Sequence, residues 1–337
     1  MEGFTVTKGG ADIRCIAGRG ALKAIDEKGK CFVLADSQCH KQHKGKLRVR
    51  QAGRYLLRPE SDQKDVALVA RVADKLYAAD ADSDTALIAF GGGFVLDVAA
   101  AAALMYKGGL ELIYAPSTPL AAFFGASGRF ELNLGGKTGC LGAAKVPKSV
   151  LCDTSVIATV PEREALSGLG AALALASASS PLLGYLEGNY ERLLRLEQEP
   201  LAEALAMAMP VSAREAELPG GTLAYAFLQS GEYSLSYGEA LLYGIYFESV
   251  IAEKFTGKMS DYAERAKKCV LDFLRKIPGL SGSYSLYTAA AGGRKNTSAG
   301  VALTVSDGSE TLSRLIIPHR DFNKLLEECE YDPEKRE

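Results

Sequence analysis

Histidine is scarce in this sequence. Only His40, His43 and His319 occur among 337 residues. None falls in the middle of the second half, so imidazoles are lacking where a borderline metal would need converging donors. An excess of one charge is also lacking. The net charge of -2 gives no polyanion-binding signature, so no nucleic-acid partner is expected. No apolar run is long enough to span a bilayer, and the N-terminus lacks the charged-then-apolar pattern of a secretory signal. The seven cysteines are odd in number and irregular in spacing. That argues against a disulfide framework and for a reducing compartment, with the cytoplasm as the expected location. Cys39, His40 and His43 do not fit a closed four-ligand zinc spacing, and Cys31 lies inside an apolar strand, so no structural zinc is expected.

What is present suits a globular protein of about two domains: 47% hydrophobic and 24% charged residues. Thr85 to Thr154 organises the chain. The apolar run Ala86 to Phe90 leads into Gly91-Gly92-Gly93 and then a helix, with Asp97 about one turn in. A second run, Leu110 to Ala115, ends in Pro116-Ser117-Thr118. The glycine-rich segment Leu134 to Gly139 follows, then Ser149 to Thr154. Short apolar runs bounded by glycine and polar residues suit buried parallel strands. Three glycines between strand and helix let a pyrophosphate approach the backbone at a helix N-terminus. Gly91 and Gly93 are only part of a GxGxxG fingerprint, since its third glycine is missing. Asp97 can accept from a ribose or nicotinamide group, or simply favour the helix dipole. Lys137 follows Gly136, but Glu131 stands where a triphosphatase loop has its first glycine. Lys137 is either a point charge for a phosphate or carboxylate, or a solvated loop residue.

Earlier in the chain, Asp12 to Ala17 and Lys30 to Ala35 read as strands, with a helix expected over Ala21 to Glu27. Asp36, just past the second strand, can hold a ribose hydroxyl pair or cap a helix. Lys41, Lys44, Lys46, Arg48, Arg50, Arg54 and Arg58 form a basic stretch, either a solvated face or an anion-steering one. Leu47 to Leu57 is a third strand segment, and Val66 to Ala79 has helical spacing. After Thr154 helical patterns dominate: Val160 to Glu164 as a start, Leu166 to Leu183, Tyr190 to Met209, Tyr225 to Gln229, Gly238 to Phe255 and Ser260 to Lys276. Pro278-Gly279 breaks the chain. A strand pair, Val301 to Val305 and Thr311 to Ile317, and a helix from Asp321 to Glu330 close it. The expected fold class is α/β plus α: a Rossmann-like dinucleotide-binding domain over 1–158 and a mostly helical domain over 159–337.

Several motifs occur in one order. They are Gly91-Gly92-Gly93-Phe94-Val95-Leu96-Asp97, Tyr106-Lys107-Gly108-Gly109, Pro116-Ser117-Thr118, Gly135 to Gly139, Cys152-Asp153-Thr154 and Val160 to Glu164. Together they resemble the GGGxxxD, YxRG, PTT, GGKTG, IDT and LPERE segments of the 3-dehydroquinate synthase family of sugar-phosphate cyclases. That resemblance implies a two-domain fold shared with glycerol dehydrogenase and iron-containing alcohol dehydrogenases. It also implies a tightly held NAD, a divalent metal, a homodimer, and a phosphate-lyase reaction. In that reaction an alcohol of a seven-carbon keto-sugar acid phosphate is oxidised, phosphate leaves, the ketone is reduced and the ring recloses. By the same resemblance the cofactor contacts fall at Asp36, Lys64, Gly91, Gly92, Gly93, Asp97, Ser117, Thr118, Asp153 and Thr154.

The likeness fails where the family keeps its metal and acid-base groups. Its metal Glu falls at Ala171 and its catalytic Lys at Ala174. One metal His falls at Glu232 and the other at Tyr237, the further His falls in a gap, and its phosphate-binding Arg becomes Gly108. Glu131 is the only counterpart of its nicotinamide-side Asp. Lys137, Glu232, Glu239 and Lys295, the last beside Arg294, remain as candidate catalytic groups. The expectation is therefore a catalytically degenerate or repurposed relative, binding NAD or a small phosphorylated or carboxylated ligand, with no zinc. The alternatives are an active cyclase with a rearranged site and a metal-free NAD-linked oxidoreductase.

Overall fold

The computed structural model describes residues 3–25, 29–215, 217–230, 235–274, 288, 290, 296–307 and 310–329. Contacts divide the chain into two compact units, 1–168 with 191–214 and 169–190 with 215–337.

The first unit is built on a seven-stranded sheet in the order β1-β2-β9-β6-β5-β3-β4. Its strands are β1 (Phe4–Lys8), β2 (Ala11–Gly18), β3 (Cys31–Asp36), β4 (Gln51–Leu57), β5 (Ala86–Gly91), β6 (Glu111–Pro116) and β9 (Ser149–Asp153). Every neighbouring pair is parallel except β1 with β2. The inner strands β5 and β9 are buried at every residue, as strands covered on both faces must be. One face carries a cluster of Val33, Ile88, Phe90, Ile113, Leu151 and Val156. The helices are α1 (Ser37–His43), α2 (Val66–Ala78), α3 (Gly93–Met105), α4 (Pro119–Phe124), α5 (Thr154–Ile157) and α8 (Gln198–Arg214). Leu68, Val69, Val72 and Leu76 give α2 a buried stripe at helical spacing, each side chain contributing roughly 1.5–3 kcal/mol. The alanines of α3, Ala99 to Ala103, are buried all round, because α3 packs against β5, β6, β7 (Arg129–Leu134) and α2.

Two segments fold otherwise than their sequence patterns predict. Ala21 to Glu27 is not an α-helix where described: only Ala21–Ala24 winds, as a 3-10 turn. The Gly135-Gly136 segment is not an open glycine loop but the tight turn of an antiparallel hairpin, β7 with β8 (Lys137–Ala144). Gly135 and Gly136 have φ 58 and 79, the left-handed pair that a two-residue hairpin turn needs.

The second unit is mostly helical. Its helices are α9 (Gly221–Ser230), α10 (Tyr237–Thr256), α11 (Asp261–Leu274) and α12 (His319–Glu327), with the hairpin β10 (Val301–Ser306) and β11 (Leu312–Ile317). The boundaries between the units fall inside α6 (Glu162–Ala176) and α7 (Ser180–Leu194). Backbones approach closely at glycine. A Cβ on Gly170 would lie 2.0 Å from the Gly238 carbonyl oxygen, and one on Gly244 would lie 2.0 Å from that of Gly220. No described helix is long and apolar enough to cross a membrane.

Candidate functional site

The chain leaves β3 toward β4 on one side and β5 toward β6 on the other. The order of strands therefore reverses between β3 and β5, and open α/β sheets bind ligands outside the carboxyl ends at such a point. Asp36 ends β3 and Gly91 ends β5. Pro116, which ends β6, lies opposite Gly91, and Gly18 lies opposite Asp153; the β6–β9 register sets this second pair one residue further along. Most residues named from the sequence as cofactor contacts share this rim.

Glycine is required there by crowding. A Cβ on Gly91 would meet Val95 Cγ2 at 2.7 Å and Asp36 Cβ at 3.2 Å. Gly92 is the N-cap of α3 and provides no side-chain cap, so the first amides of that helix are left for another acceptor. Asp36 Oδ1 accepts from the Cys39 amide at 2.8 Å and caps α1; its other oxygen has no partner among the described residues. Thr118 caps α4 through the Ala121 amide. Ser117 is buried, and its amide donates to the Gly91 carbonyl at 2.8 Å. Burial pushes the neighbouring Cys39 thiol up to about 12, which leaves it protonated and unreactive.

Asp97 and Lys64 form an ion pair with Nζ to Oδ2 at 2.6 Å, the two side chains 21% and 19% exposed. Burial holds the Asp97 carboxyl above its ordinary value. Lys64 and the Glu131 amide pull the other way, and the Glu131 charge adds to the rise. The Lys64 carbonyl accepts from the Asn133 amide at 2.7 Å, which fastens the β7–β8 hairpin beside the pair. Lys137 is exposed in β8, with no partner among the described residues.

Asp153 is more committed than its sequence motif suggests. Its carboxylate accepts from the Gly20 amide at 2.9 Å, the Ser155 amide at 3.1 Å and the Ser155 hydroxyl at 2.6 Å. Lys46 Nζ donates to that hydroxyl at 2.8 Å and to the Ser155 carbonyl. Thr154 Oγ1 is buried without a hydrogen-bond partner among the described residues. His43 Nε2 lies 2.9 Å from Thr159 Oγ1. The Thr159 hydroxyl donates its proton to the Val156 carbonyl, so Nε2 carries the ring proton. Burial and the Lys46 charge lower the His43 pKa, against an opposing pull from Asp153. The sequence marked His43 only beside Cys39 and His40 and Lys46 only within the basic stretch, and it did not mark Ser155; the contacts that join His43 to Thr159 and Lys46 to Ser155 cross more than a hundred positions.

In the second unit, Ala171 and Ala174 are wholly buried on α6. The adjacent Gly170 abuts Gly238, next to Tyr237 at the start of α10. Glu239 closes a capping box with Ser236, its carboxylate accepting from the Ser236 amide at 2.7 Å. Glu248 was not anticipated; an acid within an apolar helical pattern was the available signal. It is 2% exposed, and its two oxygens accept from the Gly220 and Leu223 amides, both at 2.8 Å. It thereby caps the N-terminus of α9. Among the described residues no three His, Cys, Asp or Glu side chains converge as a metal site requires. Glu232, Arg294 and Lys295 lie outside the described residues.

A family model described as 3-dehydroquinate synthase N-terminal matches residues 54–167. The 3-dehydroquinate synthase of Azotobacter vinelandii is 36% identical over 153 residues, 43% of this chain and 40% of that protein. The matched chain thus spans less than half the length of that relative. The 3-dehydroquinate synthase of Caldanaerobacter subterraneus subsp. tengcongensis is 28% identical over 284 residues, 78% of each chain. Among solved structures, 2-deoxy-scyllo-inosose synthase, complexed with carbaglucose-6-phosphate, NAD+ and Co2+, superposes with a TM-score of 0.73 at 19% identity. That superposition covers 97% of this chain and 99% of that one, a likeness of fold. With residues 54–167 matched by the family model and 78% of its length aligned with an individual synthase, the chain belongs to the 3-dehydroquinate synthase-like family of sugar-phosphate cyclases.

Proposed function

We propose that this chain is a binding member of its family. It holds NAD, or a related phosphorylated ligand, at the carboxyl rim of the sheet, and it does not carry out metal-assisted elimination and ring closure. The observation that carries this reading is the pair Ala171 and Ala174, both wholly buried. These are the positions to which the resemblance assigns a metal ligand and a catalytic amine. A methyl group has no donor atom. Of the described buried acids of the same unit, Glu248 gives both oxygens, and Glu239 one, to helix-end amides. Among the described residues these groups do not fit a divalent cation, which needs several deprotonated donors converging on one point.

The rim, by contrast, fits a dinucleotide. The uncapped amides at the start of α3 suit a pyrophosphate. The unused Asp36 oxygen suits a ribose hydroxyl, and the unpartnered Thr154 hydroxyl offers one more donor. When bound, NAD supplies a hydride acceptor. Lys64 and Asp97 would set the charge beside it, the Lys64 ammonium opposing the rise that burial imposes on the carboxyl. The NAD+ and sugar-phosphate analogue carried by 2-deoxy-scyllo-inosose synthase support the same ligand class. A homodimer, as the resemblance implies, completes the proposal.

Two measurements on nucleotide-stripped protein test it. Calorimetric titration should show saturable NAD binding. With zinc or cobalt added, the family's keto-sugar acid phosphate should release no inorganic phosphate. Multiple turnovers of phosphate release would refute the non-cyclising half, and a flat titration would refute the binding half. Sedimentation equilibrium reads the dimer.

A further inference from the structure

Apart from Lys46, the basic stretch noted in the sequence makes no contact with the rim residues described above. Between Gln38 and Arg58 there is no acidic residue. Lys46 is committed to Ser155. Lys41, Lys44, Arg48, Arg50 and Arg54 are all exposed, and none has an ion-pair partner among the described residues. Five uncompensated cations on one short segment are out of keeping with a chain whose net charge is -2.

Their position gives them a direction. Among the described residues β4 is the terminal strand of the sheet and pairs only with β3, so no described strand takes up its outer main-chain groups. Gly53 and Tyr55 face α2: a Cβ on Gly53 would lie 2.9 Å from the Ala79 Cβ, and Lys75 Nζ sits 5.8 Å over the Tyr55 ring. Strand alternation therefore puts Arg54 on the α1 side, where Leu56 packs on the core. Lys44 follows α1 directly, and α1 packs against β4; both cations lie near enough to His40 for their charges to lower its pKa after burial has done so, so they share that side of the sheet. Arg48 and Arg50 continue the row before the strand begins.

We propose that the free edge of β4 docks an extended acidic segment of a partner protein, which adds to the sheet as a further strand. Main-chain hydrogen bonds supply the register. Carboxylates at alternate positions of the segment meet Arg54 and Lys44, and guanidinium–carboxylate pairing supplies the selectivity. Between residues 38 and 58 no large apolar side chain is exposed, so a membrane surface finds nothing to take up. Tyr55 is half-buried and faces α2 under Lys75, so unstacked bases find no platform.

The test uses the full chain and a fluorescein-labelled octapeptide of alternating Glu and Val, read by anisotropy. Saturable binding is expected, weakened about tenfold in the Arg50→Glu, Arg54→Glu double variant and in high salt. The milder Arg50→Gln, Arg54→Gln pair should fall between. Both pairs should melt as the parent does, since these side chains are exposed. Hydrogen exchange should show peptide-dependent protection in β4. The proposal is overturned if a proline-interrupted peptide of equal charge binds as well, because that segment cannot form a strand. It is also overturned if no peptide binds, or if oligothymidylate or phosphatidylserine vesicles bind more tightly than the peptide. Self-association of the uncharged Gln pair without peptide binding would equally overturn it, showing cations that merely keep copies apart.

Discussion

Replacing Lys64 by Met should expose how much the rim depends on one ion pair. Lys64 and Asp97 meet at 2.6 Å with about a fifth of each side chain exposed. Exposed pairs contribute roughly 0.2–1 kcal/mol, and breaking a fully buried pair from one side costs about 3–5 kcal/mol. The enclosure seen here places the cost of Lys64→Met at about 2 kcal/mol. Asp97→Asn in the Lys64→Met background should recover part of that loss, giving a coupling energy of about 1–2 kcal/mol in a double-mutant cycle. The sign with pH follows from burial. Asp97 already titrates above its ordinary value, so its contribution to stability is fully present below the unfolded carboxyl value of about 3.9 and is lost as pH rises through the folded one. Without Lys64 the folded value rises further and that loss grows. The gap between parent and variant should therefore be wide at about pH 8 and narrow at about pH 4.5. Urea unfolding of the four proteins at both pH values reads it. A gap that does not change with pH, or a coupling near zero, would refute the account of the pair.

Other variants test other parts of the structure. Gly170→Ala places a Cβ 2.0 Å from the Gly238 carbonyl and should cost at least about 3 kcal/mol in thermal unfolding, while the same change at the open Gly93 should cost far less. Glu248→Ala strands two buried amides of α9 and should destabilise by about 3 kcal/mol, with hydrogen exchange fastest at Gly220 and Leu223. Gly93→Asp should separate stability from binding: a carboxylate in the first turn of α3 stabilises the helix by about 0.3–1 kcal/mol, yet it should weaken NAD binding about tenfold by calorimetry. Unchanged NAD affinity would remove the α3 N-terminus from the site.

The parts of the fold that could be read from sequence are those in which burial marks the chain itself. β3, β5 and β9 are apolar runs cut off by Asp36, Gly91 and Asp153, because a parallel strand covered on both faces has no room for polar residues. α2 shows its stripe for the same reason. The β7–β8 hairpin escaped notice: β8, Lys137–Ala144, is mostly exposed and rich in small residues, so no alternation announces it. The helical pattern over Tyr190 to Met209 is in fact broken between α7 and α8, where Leu196 turns through φ 53. No glycine marks that turn, and Pro200, in the first turn of α8, was the available signal. At the rim, the turn glycines and the strand-end acids were legible one by one, whereas the bonds that join them were not. Nothing local to Asp153 says that its carboxylate will hold Gly20.

That last bond bears on how the chain comes off the ribosome. β2 takes β9 as its parallel neighbour, and Asp153 ties down the Gly20 amide across 133 residues of sequence. Until β9 has emerged, the β1–β2 hairpin presents a bare inner edge, and the half of the sheet carrying β3 to β6 has no way to join it. At ordinary elongation speeds that interval is on the order of ten seconds, long compared with the microseconds in which a hairpin forms. Nascent β2 is thus the segment most exposed to mispairing. Truncated chains ending before residue 149 should be trapped by a chaperone or aggregate, whereas chains extended past residue 214, which also supply α8, should become protease-resistant.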